Sequence, residues 1–133
     1  MTRIAVNGVV LNVVESGAGI PMLLLHGFTG SQETWAPFQT AWSGYRLIAV
    51  DLLGHGGSDC PADPERYRMT HTVRDLLAVL DALVVDQALV LGYSLGGRIA
   101  LRLAVAAPAR VRDRKSTRLN SSHIQKSRMP SSA

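Results

Sequence analysis

Three short runs dominated by apolar residues constrain this chain more than anything else in it: Pro21-Met22-Leu23-Leu24-Leu25, Arg46-Leu47-Ile48-Ala49-Val50 and Ala88-Leu89-Val90-Leu91. A strand with one wet face alternates apolar and polar residues. A run that is apolar throughout has both faces covered, as in a parallel sheet packed on two sides. Between the runs lie segments of helical spacing. Val73, Leu76, Leu77, Leu80 and Leu83 form one apolar stripe, with Thr70 placed to cap that helix. Leu95 to Ala107 is rich in Ala and Leu and stops at Pro108, which is hostile to a continuing helix. A shorter helix is expected around Trp35 to Trp42. At the N-terminus, Ile4-Ala5-Val6 and Val9 to Val14 flank Asn7-Gly8, a pair that tolerates positive φ and signals a hairpin. The alternation predicts an α/β fold, a mostly parallel sheet with helices on both faces.

Charge separates the chain into two materials. Met1 to Arg112 holds nine arginines against nine carboxylates, so that portion is neutral. The formal net charge of +4 comes wholly from Asp113 to Ala133, which also carries six serines and both lysines. That segment has no periodicity and too little apolar surface to offset the entropy of ordering, so it is expected to be a disordered tail. Back-translated, Asp113 to His123 and Ser127 to Ala133 can be spelled by a common sequencing-library adapter, with Ile124 to Lys126 at its variable index. The expectation is a non-native tail at 113–133, and the rival is a native basic tail that contacts nucleic acid. Because the basicity is confined to the tail, no nucleic-acid partner is expected for the domain at 1–112. No apolar run is long enough to span a bilayer, and Met1-Thr2-Arg3-Ile4 does not open a signal peptide. With a single cysteine, Cys60, an internal disulfide is excluded, and the cytoplasm is the expected compartment.

The chemistry concentrates where the runs end. Gly92-Tyr93-Ser94-Leu95-Gly96 lies between the third run and a helix, and Gly92 and Gly96 remove Cβ atoms that would clash in so sharp a turn. Ser94 is the candidate nucleophile, although a serine hydroxyl needs a base to take its proton. The N–H of Leu95, at the helix start, can face a developing oxyanion, and the N–H of Phe28 in His26-Gly27-Phe28-Thr29-Gly30 can supply a second donor. Arg98 lies one helical turn past Ser94, where a guanidinium can pair with a substrate carboxylate. Tyr93 is also placed to line the site. The remaining polar residues read as structural: His26 holds its loop through ring hydrogen bonds, His55 packs the loop Leu53 to Asp59, Asp51 fixes a loop at a strand end, and His71 is solvated. The bland alternatives are a serine that merely caps a helix and an arginine that is merely solvated.

The His-Gly-Phe loop, the "DLLGHGGSD" loop and the Gly-x-Ser-x-Gly turn, in this order, resemble the α/β-hydrolase family over about Met1 to Arg112. More narrowly, "LLLHGFTGSQETW" and "LGYSLGGRIALRLA" are similar to the 2-succinyl-6-hydroxy-2,4-cyclohexadiene-1-carboxylate synthases of menaquinone biosynthesis. The resemblance implies a sheet that begins in the order 1-2-4-3-5. It also implies Ser94 in a Ser-His-Asp triad, and Arg98 binding a small carboxylate substrate. The reaction implied is elimination of pyruvate from 2-succinyl-5-enolpyruvyl-6-hydroxy-3-cyclohexene-1-carboxylate, with no cofactor and no metal. In this fold the triad acid and histidine follow the serine, yet Leu95 to Arg112 contains neither. The expectation is therefore an N-terminal portion of the fold, truncated after the helix that follows Ser94, inactive by itself and with an open sheet edge at Leu89 to Leu91. Its oligomeric state stays open. The rival readings are a carboxylesterase or other hydrolase of the same fold, and a non-catalytic binding module built on it.

Overall fold

Asn7 and Gly8 both take positive φ, 47° and 86°, and close a hairpin between β1 (Thr2–Val6) and β2 (Val9–Ser16). The computed structural model describes residues 2–112, so the tail expected at 113–133 lies outside the described residues. β3 (Ile20–Leu25), β4 (Tyr45–Val50) and β5 (Leu89–Gly92) are the three apolar runs. The five strands form one sheet in the order β1-β2-β4-β3-β5, the order implied by the resemblance. Within the described residues the sheet is mixed. β1–β2 and β2–β4 pair antiparallel, whereas β3–β4 and β3–β5 pair parallel.

β3 is central, and Leu23, Leu24 and Leu25 are each 0% exposed. Successive side chains point to opposite faces of a pleated strand. Leu23 and Leu25 join the core that contains Val73, Leu76, Leu80, Ile99 and Leu103, while Leu24 joins Met22, Trp35, Leu47 and Ala49 on the other side. Full burial of each such leucine contributes about 1.5–3 kcal/mol. Both described α helices, α1 (Met69–Ala82) and α2 (Leu95–Ala106), therefore cover one face. The opposite face is covered by a 3₁₀ helix at Gln32–Phe38, whose Trp35 packs on Phe38 and Trp42. This is the short helix expected around Trp35 to Trp42. Pro37 lies inside it, and a proline ring that lacks a donor does not suit a longer α-helical ladder.

Three details differ from expectation. Thr70 does not cap α1. The helix begins at Met69, and its N-cap is Arg68, extended at φ −60° and ψ 146° between α1 and a 3₁₀ helix at Pro64–Tyr67 capped by the Asp63 carboxylate, so Thr70 already lies inside the first turn. His71 is partly buried in the first turn of α1 and not fully solvated. The outer edge of β5 is engaged at its start: Ala88 N–H donates to Arg110 O at 3.0 Å, and Arg112 N–H donates to Ala88 O at 2.8 Å. The last described residues thus return to the edge that the sequence reading left open. Asp75, an acid on the buried side of α1, is satisfied by both guanidinium nitrogens of Arg66 at 2.8 and 2.9 Å and by Asn7 Nδ2 at 2.9 Å. These bonds tie the hairpin turn to α1.

Candidate active site

β3 and β5 are neighbours in register, with Leu25 beside Gly92, so the two strands end together. Tyr93 N–H then donates to Leu25 O at 3.0 Å, and α2 starts two residues later. The turn between them forces Ser94 to φ 56° and ψ −112°. A side-chain-bearing residue in so sparsely populated a region costs about 1–3 kcal/mol, and it persists only where the surroundings impose it. Two glycines impose it here. A Cβ on Gly92 would land on the Gly96 carbonyl and 2.6 Å from Gly97 N, and a Cβ on Gly96 would land on the Leu25 carbonyl and 2.7 Å from His26 O. α2 therefore presses against the end of β3, and Ser94 stands exposed at the tip. Its side chain makes no cap hydrogen bond to α2, so the capping role is not what it performs.

The loop after β3 lies against this turn. Gly27 packs on Tyr93 so closely that a Cβ would come within 2.9 Å of the ring and 3.3 Å of Tyr93 O. The loop closes on itself through Gly30 N–H to Gly27 O at 2.9 Å, and the turn closes through Gly96 N–H to Tyr93 O at 2.9 Å. Among the described residues, the N–H groups of Phe28 and Leu95 have no acceptor. An exposed hydroxyl followed by an uncommitted amide at a helix N-terminus, with a second uncommitted amide on the loop packed against the same turn, is a set of groups able to react at oxygen while holding negative charge.

His26 is not available as a base for Ser94. It is 0% exposed, its Nδ1 lies 2.7 Å from Gly27 O, and its Nε2 accepts from Leu52 N–H at 3.0 Å. These bonds require the neutral ring with the proton on Nδ1, and burial holds its pKa below the ordinary 6.5. The His55 ring sits 4.9 Å from His26 and 5.8 Å from Phe28, with Nδ1 3.1 Å from Leu53 O, and so packs the two loops together. Asp51, 2% exposed, accepts from Gln32 and Gly57 N–H in two loops and from Asn12 Nδ2 on β2. Arg98 is exposed on α2 and has no acidic partner among the described residues, and Tyr93 is half-exposed beside Ser94. Described residues after Ser94 supply neither histidine nor acid. The sequence reading missed Asn12, a buried residue whose side chain donates to Asp51 at 2.8 Å. Its signal was a polar residue standing inside the apolar stretch Val9 to Val14.

Residues 20–113 match the family model described as alpha/beta hydrolase fold. The chain belongs to the α/β-hydrolase family. This α/β-hydrolase chain is 41% identical to an epoxide hydrolase of Caballeronia sordidicola over 80% of its own length and 33% of the relative's. It is 39% identical to a Bacillus subtilis protein provisionally named 2-succinyl-6-hydroxy-2,4-cyclohexadiene-1-carboxylate synthase, over 79% of the chain and 39% of that protein. A solved epoxide hydrolase variant from Vigna radiata superposes with a TM-score of 0.80 at 37% identity, covering 83% of this chain and 35% of the other. The chain thus spans between a third and two fifths of the curated α/β-hydrolase relatives named here. No described helix is long and apolar enough to cross a membrane.

Proposed function

We propose that the whole protein is a serine-dependent enzyme in which Ser94 reacts and the amides of Phe28 and Leu95 hold the negative oxygen that develops. The observation that carries this reading is the backbone of Ser94, φ 56° between two glycines that cannot bear a Cβ, on an otherwise regular strand-to-helix junction. Strain of this kind is kept where it aims a side chain. The histidine and acid that activate Ser94 are assigned to parts of the whole protein other than residues 95–112.

The reaction we favour is the elimination that the sequence resemblance implies, whose product is the compound in the name of the Bacillus subtilis relative. Ser94, relieved of its proton by the histidine, takes a proton from a ring carbon of the substrate. The electron pair left behind forms the new double bond as the ring C–O bond to the enolpyruvyl group breaks, and pyruvate leaves after taking up a proton. The two amides stabilise the oxygen that gathers charge on the way. Arg98 pairs with a substrate carboxylate, which is why an exposed arginine without an acidic partner stands one turn from Ser94.

Hydrolysis is the second reading, supported by the relatives named as epoxide hydrolases. Chemistry restricts its substrates. A serine that opened an epoxide would form an ether, which offers water no carbonyl to attack, whereas an acyl-serine is an ester that water can cleave. Ser94 therefore suits carboxylic esters better than epoxides. The test is to assay the whole protein for pyruvate release from the succinyl-bearing substrate and for hydrolysis of p-nitrophenyl acetate. Pyruvate release supports elimination, ester hydrolysis without it supports the esterase reading, and neither reaction would contradict both.

A further inference from the structure

The end of β4 touches the Phe28 loop in two places. Asp51 Oδ1 accepts from Gln32 N–H at 2.7 Å, just past the far end of the loop. The next residue, Leu52, donates its N–H to His26 Nε2 at 3.0 Å, and His26 Nδ1 passes on to Gly27 O at 2.7 Å, at the near end. The other carboxylate oxygen of Asp51 is itself fixed by Asn12 Nδ2 at 2.8 Å and Gly57 N–H at 2.9 Å. A Cβ on Gly56 would strike this carboxylate, so the loop after β4 folds directly over it. Asp51 N–H in turn donates to Asn12 O at 2.9 Å, which anchors the group to the sheet.

We propose that Asp51 and Leu52 are positioning residues that clamp the two ends of the loop His26 to Gln32 and thereby set where the Phe28 amide points. The inference rests on the reading of Phe28 N–H as an oxyanion donor. An amide that serves only as negative charge develops must be held in place before the reaction, because a displacement of about 1 Å can cost about a hundredfold in rate. Among the described residues Phe28 makes no hydrogen bond of its own: it is 73% exposed, and its ring meets that of His55. Besides the packing of Gly27 on Tyr93, the loop is held at its two ends, and both ends are held from the residues that follow β4.

The experiment uses the whole protein and whichever of the two reactions, pyruvate release or p-nitrophenyl acetate hydrolysis, it performs. Asp51→Asn keeps the shape of the side chain but replaces an acceptor oxygen by a donor. Whichever way the new amide turns, its NH₂ meets an N–H, that of Gln32 on one side or those of Asn12 and Gly57 on the other. The expected result is a fall in kcat of about 10- to 100-fold with KM within about twofold, since the lost interaction acts in the transition state alone. Gln32→Pro removes the N–H at the far clamp together with an amide side chain that makes no hydrogen bond among the described residues. Proline suits the first position of a helix, and Ser31 before it is already extended at φ −158° and ψ −177°. It should lower kcat in the same direction by a smaller factor, with an unchanged Tm, and it decides the matter if Asp51→Asn does not fold. Unchanged kcat in these variants, or kcat and KM altering together, would overturn the clamp. If Ser94→Ala retains turnover, the serine reading itself fails. If Ser94→Ala is inactive while the clamp variants are normal, only the clamp fails.

Discussion

His26 shows how one buried side chain can be read from its bonds alone. Its ring must be neutral to accept from Leu52, and burial lowers its pKa. The unfolded chain then binds a proton that the folded chain refuses, so this group makes folding less favourable as pH falls below about 6.5, the ordinary value, and adds no pH dependence above it. Thermal unfolding of the whole protein should show a lower Tm on the acid side, and His26→Gln should flatten that part of the profile. An unchanged acid slope in the variant would count against the assignment. Arg98 is the opposite case, an exposed group whose meaning lies in its partner. Arg98→Ala should reduce kcat/KM for the succinyl-bearing substrate about ten- to a hundredfold, the worth of a charge-assisted contact of roughly 1.5–3 kcal/mol, without changing Tm. Unaltered kinetics would leave Arg98 a solvated residue and favour the esterase reading.

At the level of elements, the turn after α1 carries a stability test independent of function. Val84 takes φ 57° at the helix end and is 90% exposed, so a β-branched residue occupies a position that glycine usually fills and gains no burial there. Val84→Gly should stabilise the fold by about 1 kcal/mol, read as a higher urea midpoint with an unchanged m-value. Gly96→Ala should act the other way, costing at least about 1–3 kcal/mol by driving a methyl into the carbonyls of Leu25 and His26. Elements of this kind were legible in the sequence to different degrees. The buried strands, the Asn7-Gly8 hairpin and α2 follow from local pattern, because apolar runs, turn residues and a closing proline act within a few residues of themselves. Thr70 misled because a cap is decided by where the backbone turns from extended to helical, and here that happens at Arg68, two residues earlier. Asn12 and Asp75 escaped notice because their partners, Asp51 and Arg66, come from distant positions and only the fold brings them together. The bond from Leu52 to His26 was invisible for the same reason, although the role of His26 was readable from its loop.

The whole molecule sets the limit on what the described fold performs. The chain covers 33% of one relative and 39% of another, and residues 95–112 hold neither histidine nor acid to serve Ser94. Expressed alone, Met1 to Ala133 should release no pyruvate and hydrolyse no p-nitrophenyl acetate above background, since loss of triad partners costs several orders of magnitude. Turnover comparable to that of the whole protein would show that another base serves Ser94. In the proposed function the strained turn presents Ser94 for reaction. The most direct test of this role is the turnover of Ser94→Ala in the whole protein, where removing one oxygen leaves the glycines, the helix and both amides in place. A loss of at least about a thousandfold in kcat with the fold intact is expected. A folded Ser94→Ala enzyme that keeps most of its turnover would contradict the proposed function.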